Sequence, residues 1–129
     1  MGKRKVYISY DFENERHYKN LLLAWNAQFD FLVGDYSPGL LSSKNDGQIK
    51  ATLSDKMKQA STFLVIVGKN TYRNNWVKWE IIKALELKIP IVAVKTERDN
   101  KTPNELYGIG ANWAMSFTFD SISSAINKS

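Results

Sequence analysis

Glu80 is the residue of this chain whose type and surroundings could do chemistry. It follows Trp76 by four positions, so on a helix the carboxylate and the indole share one flank, about a hundred degrees round from the line through Val77 and Ile81. Val77, Ile81, Ala84 and Leu85 recur at the spacing of an amphipathic helix and read as its core stripe. Glu80 then sits at the seam between core and solvent. The segment lies between two apolar runs, Phe63–Val67 and Ile89–Val94. A carboxylate in the first turns after a strand lies near the crevice where open α/β sheets hold ligands. Beside aromatic neighbours it can stabilise positive charge that develops in a transition state. From pattern alone the plainer reading stays open as well: a helix-surface carboxylate, solvated or paired with Lys83.

Other chemistries lack their residues. Cysteine is absent, which excludes disulfides, zinc–thiolate centres and cysteine nucleophiles, and a single histidine, His17, excludes a multi-histidine metal site. His17 falls in the first turn of a helix, and no G-x-S-x-G elbow exists to pair with it. The turn after the first strand, Asp11–Glu15, is acidic and has no glycine, so it cannot cradle a phosphate. Gly108 and Gly110 form a lone G-x-G in a late loop and read as turn residues. The end of the third strand, Val67–Asn70, offers no aspartate for a phosphorelay.

The elements that position Glu80 follow from periodicity. Lys5–Tyr10 alternates and reads as a first, central strand; a helix with Tyr18, Leu21, Leu22 and Trp25 on one side begins at Arg16. Phe29–Val33 reads as a second strand and Gly34–Asp46 as a surface loop. Asn45 with Gln48 forms a capping box that opens a helix with the stripe Ile49, Leu53, Met57 and Ala60. Thr62–Val67 is a near-continuous apolar run, as expected of a strand covered on both faces. The helical segment Thr71–Leu87 follows, then the strand Ile89–Val94 with Pro90 at its start. Thr96–Asn112 reads as a loop with room for a short helix. Trp113–Phe119 reads as an edge strand by its period of two, and Asp120-Ser121 as the cap of a helix carrying Ile122, Ala125 and Ile126. Strand and helix alternate five times, so the expected fold is a single α/β domain over residues 1–129, a doubly wound five-stranded parallel sheet of order 2-1-3-4-5.

Composition sets outer bounds. The chain has 129 residues, 43% hydrophobic and 24% charged, ordinary for one globular domain. Lys and Arg outnumber Asp and Glu by 18 to 13, a net +5, but the basic residues are scattered and no aromatic-and-basic cluster marks a nucleic-acid surface. No apolar run is long enough to span a membrane, and a cytoplasmic location is the expectation.

Trp76-Val77-Lys78-Trp79-Glu80-Ile81 resembles the W-V-x-x-E-I segment of TIR domains. The fuller Thr71–Ile81 stretch, preceded by Leu64-Val65-Ile66-Val67-Gly68, is similar to the TIR-like B subunit family of the bacterial Thoeris antiphage systems. Tyr7-Ile8-Ser9-Tyr10 in the first strand adds to the likeness, which weakens after Thr96. The resemblance implies a flavodoxin-like fold and an enzyme that cleaves NAD, as glycohydrolase or cyclase, with Glu80 as its catalytic residue. NAD is then a substrate; no cofactor or metal is expected. By position in such domains, Ser9, Tyr10, Asp11 and Phe12 in the loop after the first strand, and Trp76, would bind the substrate. Asp35 and Ser37, after the second strand, would flank the pocket in a loop that also mediates assembly. The implied partners are further copies of the chain, through TIR-like surfaces, and a separate effector reached by a diffusible ADP-ribose-derived signal. Trp79 adds bulk beside Glu80, which keeps a second expectation open: a TIR-like interaction module without turnover.

Overall fold

The computed structural model describes residues 4–25, 31–35 and 44–129. Its strands are β1 (Arg4–Ser9), β2 (Phe31–Asp35), β3 (Thr62–Val67), β4 (Ile91–Lys95) and β5 (Asn112–Trp113). Its helices are α1 (Arg16–Ala24), α2 (Asp46–Lys58), α3 (Asn75–Glu86) and α4 (Phe119–Lys128). All strand pairings are parallel, and the order across the sheet is β2-β1-β3-β4-β5.

Period-two alternation divides the core into two layers. On one face Val6, Ile8 and Tyr10 meet Leu64, Ile66, Val92 and Val94, covered by Leu22 of α1 and by Ile122, Ala125 and Ile126 of α4. On the other, Tyr7, Phe63, Val65, Val67 and Ala93 are covered by Ile49, Leu53 and Met57 of α2 and by Val77, Ile81 and Ala84 of α3. Every residue of β3 is buried, which is why its sequence carries no polar alternation.

Local chemistry sets the helix boundaries. The Asn45 side chain accepts the Gln48 N–H at 2.8 Å, and Gln48 Oε1 accepts the Asn45 N–H at 3.2 Å, the reciprocal box that starts α2. Thr118 starts α4 by accepting the Ser121 N–H, just ahead of the expected Asp120-Ser121 cap. At the far end of α3, Lys88 takes φ 59°. Its N–H donates to the Leu85 carbonyl and that of Ile89 to the Ala84 carbonyl, so the helix turns tightly into the chain leading to β4.

Three expectations change. β2 runs to Asp35, so Gly34 and Asp35 complete the ladder opposite Tyr7 and Ile8 instead of opening a loop. The expected strand Trp113–Phe119 shrinks to Asn112–Trp113: Met115 is 96% exposed, while Phe117 and Phe119 pack on the α1 and α4 layer from a turn and a helix start. Leu21 faces outward, and α1 buries Leu22 with Tyr18, Leu23 and Trp25 against the core.

Candidate active site

The site is built outward from the end of β3. Beyond Val67, the Gly68 N–H donates to Thr71 Oγ1 at 2.8 Å, and the Thr71 hydroxyl reaches back to the Ile66 carbonyl at 3.4 Å. This closes a 3₁₀ turn over Thr71–Arg73, which splits the single helix expected from Thr71. Asn74 then caps α3 by accepting the Val77 N–H at 2.9 Å. The buried stripe of α3 is Val77, Glu80, Ile81 and Ala84, at i, i+3, i+4 and i+7. Glu80 is therefore buried on one flank of the stripe, while Leu85, which the sequence reading put in the core on the other flank, is exposed. Hydrophobic patterning selects the apolar member of two candidate positions; the fold selects the charged one.

Glu80 is 1% exposed, and its two carboxylate oxygens are held from β1. The Tyr7 hydroxyl donates to Oε2 and the Ser9 hydroxyl to Oε1, the latter at 3.0 Å. Tyr7 and Ser9 are two apart on one strand, so both point to the α3 face. Phe63 stacks on Tyr7 with ring centroids 5.7 Å apart and planes 12° from parallel, which fixes the ring whose hydroxyl reaches Glu80. Burying a carboxylate costs several kcal/mol, and hydroxyl donors offset part of this. Lys83, the alternative partner, pairs instead with Glu86 at 3.3 Å. The result is a preorganised carboxyl group set in an apolar layer.

The other expected site residues separate. Ser9 is at the carboxylate, and Trp76 packs partly buried on the same core layer, its ring 6.0 Å from that of Trp79. Tyr10 and Phe12 do not join them. Both belong to the opposite layer, with ring centroids 6.3 Å apart, the Arg16 guanidinium 4.6 Å over Phe12 and the Lys19 ammonium 5.9 Å over Tyr10. Strand alternation has this effect, since consecutive residues Ser9 and Tyr10 leave the strand on opposite faces. Asp11 is buried as a turn organiser: it accepts Asn14 Nδ2 at 2.6 Å and the Glu13 N–H at 3.2 Å. Asp35 ends β2 in register with Ile8, and Ser37 lies outside the described residues. Tyr7 is the member that the sequence reading missed. The signal was its period-two partnership with Ser9. A cavity of about 450 Å³ opens elsewhere, over β4 and β5 beside Leu106, Tyr107 and Trp113, and neither Glu80 nor Ser9 lines it.

A profile of the family described as Thoeris protein ThsB, TIR-like domain, matches residues 7–101, a span that takes in the end of β1 from Tyr7 to Ser9, all of β3 and α3, and Glu80. The chain belongs to this family. The ThsB-like assignment agrees with the fold of several solved structures. A 2-deoxyribosyltransferase from Leishmania mexicana aligns with TM-score 0.65 at 11% identity over 97% of each chain. A prokaryotic SEFIR domain aligns with TM-score 0.55 at 16% identity, over 98% of this chain and 89% of that one. The TIR domains of the activated Roq1 resistosome align with TM-score 0.50 at 19% identity, over 74% of this chain and 60% of theirs. At such identities the shared property is the fold. No curated protein matches the ThsB-like chain by sequence.

Proposed function

We propose that this TIR-like domain cleaves NAD, as glycohydrolase or cyclase, and in doing so makes an ADP-ribose-derived signal for a separate effector in bacterial antiphage defence. The observation that carries the reading is the Glu80 carboxylate, buried in the α3 layer with the Tyr7 and Ser9 hydroxyls on its two oxygens. Cleavage breaks the bond between ribose C1′ and the nicotinamide nitrogen. The bonding pair leaves with the nicotinamide, already a pyridinium, so no proton donor is needed. The cation left on C1′ and the ring oxygen is oxocarbenium-like. A fixed carboxylate facing that carbon stabilises it in surroundings where charge is poorly screened. Ribose hydroxyls take over donation to Glu80 from the serine, and Trp76 offers a flat surface on the same side. Water adding to C1′ and losing a proton gives ADP-ribose; a nucleophile within the molecule gives a cyclic product instead. Two structural neighbours are named as deoxyribosyltransferases, and transfer at the same sugar carbon fits this chemistry. The substrate acts without a further cofactor, in the cytoplasm; no helix among the described residues is long and apolar enough to cross a membrane.

One observation favours a second reading. A carboxylate 1% exposed and satisfied by two hydroxyls also suits a structural polar centre in a TIR-like module that acts by self-association or docking. Incubating the pure protein with NAD, with and without extract from phage-infected cells, and resolving products by mass separates the two. Nicotinamide release that Glu80→Gln abolishes supports the enzyme. Absence of release under every condition supports the module.

A further inference from the structure

Glu15 occupies the N-cap position of α1 and yet does not cap it, since no side-chain hydrogen bond runs to the first turn of its own helix. Its side chain turns back over the sheet and is 6% exposed. It lies against Gly68, just past β3, so closely that a Cβ on Gly68 would stand 1.9 Å from Glu15 Oε1 and 2.2 Å from its carboxyl carbon. Gly68 is not among the positive-φ glycines. A side chain there would therefore have to displace the Glu15 carboxyl group, and no backbone strain bars it otherwise. The backbone N–H of the next residue, Lys69, favours the ionised form of the same carboxyl group.

The loop that carries Glu15 is built to present it. Asp11 accepts the Glu13 N–H and Asn14 Nδ2, and the Glu15 N–H donates to the Asp11 carbonyl at 2.8 Å, so residues 11–15 form one braced turn. That turn begins two residues after Ser9, whose hydroxyl holds Glu80. Gly68 and Lys69 begin the connection from β3 to α3, the helix that carries Glu80.

We infer that Glu15 is a positioning residue of the Glu80 site: its carboxyl group clamps the loop leaving β1 onto the loop leaving β3, and Gly68 is glycine to receive it. The functional half of this inference rests on the NAD-cleaving reading; the clamp itself does not. Ser9 and α3 meet at Glu80 from two chain segments, and the Glu15 contact ties together the loops by which those segments leave the sheet, so a loosened clamp lets the hydroxyl and the carboxylate drift relative to bound substrate.

The clamp also has a pH sense. Burial raises the Glu15 carboxyl above the ordinary carboxylate value of 4.5, with Asp11 and Glu97 pushing the same way and the Lys69 N–H and His17 opposing. The folded protein holds this proton more tightly than the unfolded chain. The contribution to stability is therefore full below 4.5 and is lost as pH rises through the raised value.

The test is a double-mutant cycle of Glu15→Ala and Gly68→Ala, read first by thermal melting, which needs no substrate. Gly68→Ala alone should lower Tm by about 5 °C, as crowding of a packed contact does, but by about 1 °C or less in the Glu15→Ala background, where the methyl group fits the vacated space. Glu15→Asp, which draws the carboxyl back by one methylene, should roughly halve the cost of Gly68→Ala. An equal cost in all three backgrounds overturns the clamp. Read by NAD turnover, Glu15→Ala and Gly68→Ala should each lower kcat/KM about tenfold or more. Glu15→Gln, which keeps the size and the acceptor for Lys69, should stay within about threefold and lose the fall in Tm with rising pH. Coupling in Tm with kcat/KM unchanged in both alanine variants refutes the positioning role. If the wild-type protein leaves NAD intact under every trigger, the NAD reading fails, and the melting cycle still decides the clamp.

Discussion

β1 feeds two core layers that are filled in opposite ways. Toward α1 and α4 it sends Val6, Ile8 and Tyr10 into an apolar and aromatic layer, where Phe117 meets Tyr18 at 4.9 Å and Trp25 at 6.1 Å, and cations lie over the outer rings. Toward α2 and α3 it sends Tyr7 and Ser9, whose hydroxyls converge on a buried carboxylate. A layer of the first kind is selected by packing alone, and many residue sets of similar volume would serve. The second holds a carboxyl group that hydrophobic filling would never place there, and Glu80, Tyr7 and Ser9 require one another. A local departure from the rules of stability, supported by geometry, is what a functional site looks like in a folded chain.

The contrast breaks most sharply at Glu80. Glu80→Gln should reduce NAD cleavage by about a hundredfold or more, because the charge opposite the developing cation is gone. The amide still fits and one hydroxyl can reverse to accept from it, so the cost in stability should stay at about 1–2 kcal/mol. Product assay and melting curve on the same preparation check both numbers. Tyr7→Phe comes next. It removes one donor from a buried carboxylate, and about a tenfold fall in turnover should accompany about 2 kcal/mol of lost stability, measured by urea unfolding. On the opposite layer Phe12→Leu should leave NAD cleavage within about threefold and cost about 0.5–1 kcal/mol for the lost contact with Arg16. If Phe12→Leu impairs turnover as severely as Tyr7→Phe, the division of labour between the two faces is wrong.

Much of the architecture was legible because it depends on patterns that strands and helices impose locally. The near-continuous apolar run Thr62–Val67 marked a doubly covered strand, and Asn45 with Gln48 marked a helix start, each with a reason independent of the rest of the chain. Trp113–Phe119 misled because period two is also met by a two-residue strand followed by a turn whose aromatics pack from elsewhere. The site was legible only in part. Glu80 stood out by its motif and Ser9 by its place on β1, but the burial of Glu80 was hidden, since Leu85 completes the same apolar stripe more plausibly on hydrophobicity. Tyr10 and Phe12 were drawn in by their aromatic character, and the parity of the strand places them in the other layer. Glu15 gave no signal at all, because its partner is the absence of a side chain at Gly68, 53 positions later in sequence.

At Lys88 an L-residue with a long, branching-free side chain takes φ 59°, a backbone region that costs such residues about 1 kcal/mol and glycine nothing. The chain thus keeps unspent thermal tolerance at a surface joint behind α3, on the far side of the helix from its N-terminal cap. Lys88→Gly should raise Tm by about 3 °C with catalysis unaltered, the loss of some order in the unfolded chain taking back part of the gain. A thermostabilised background of that kind is the natural host for Tyr7→Phe and Glu80→Gln, whose own penalties then fall on a protein with more stability to lose.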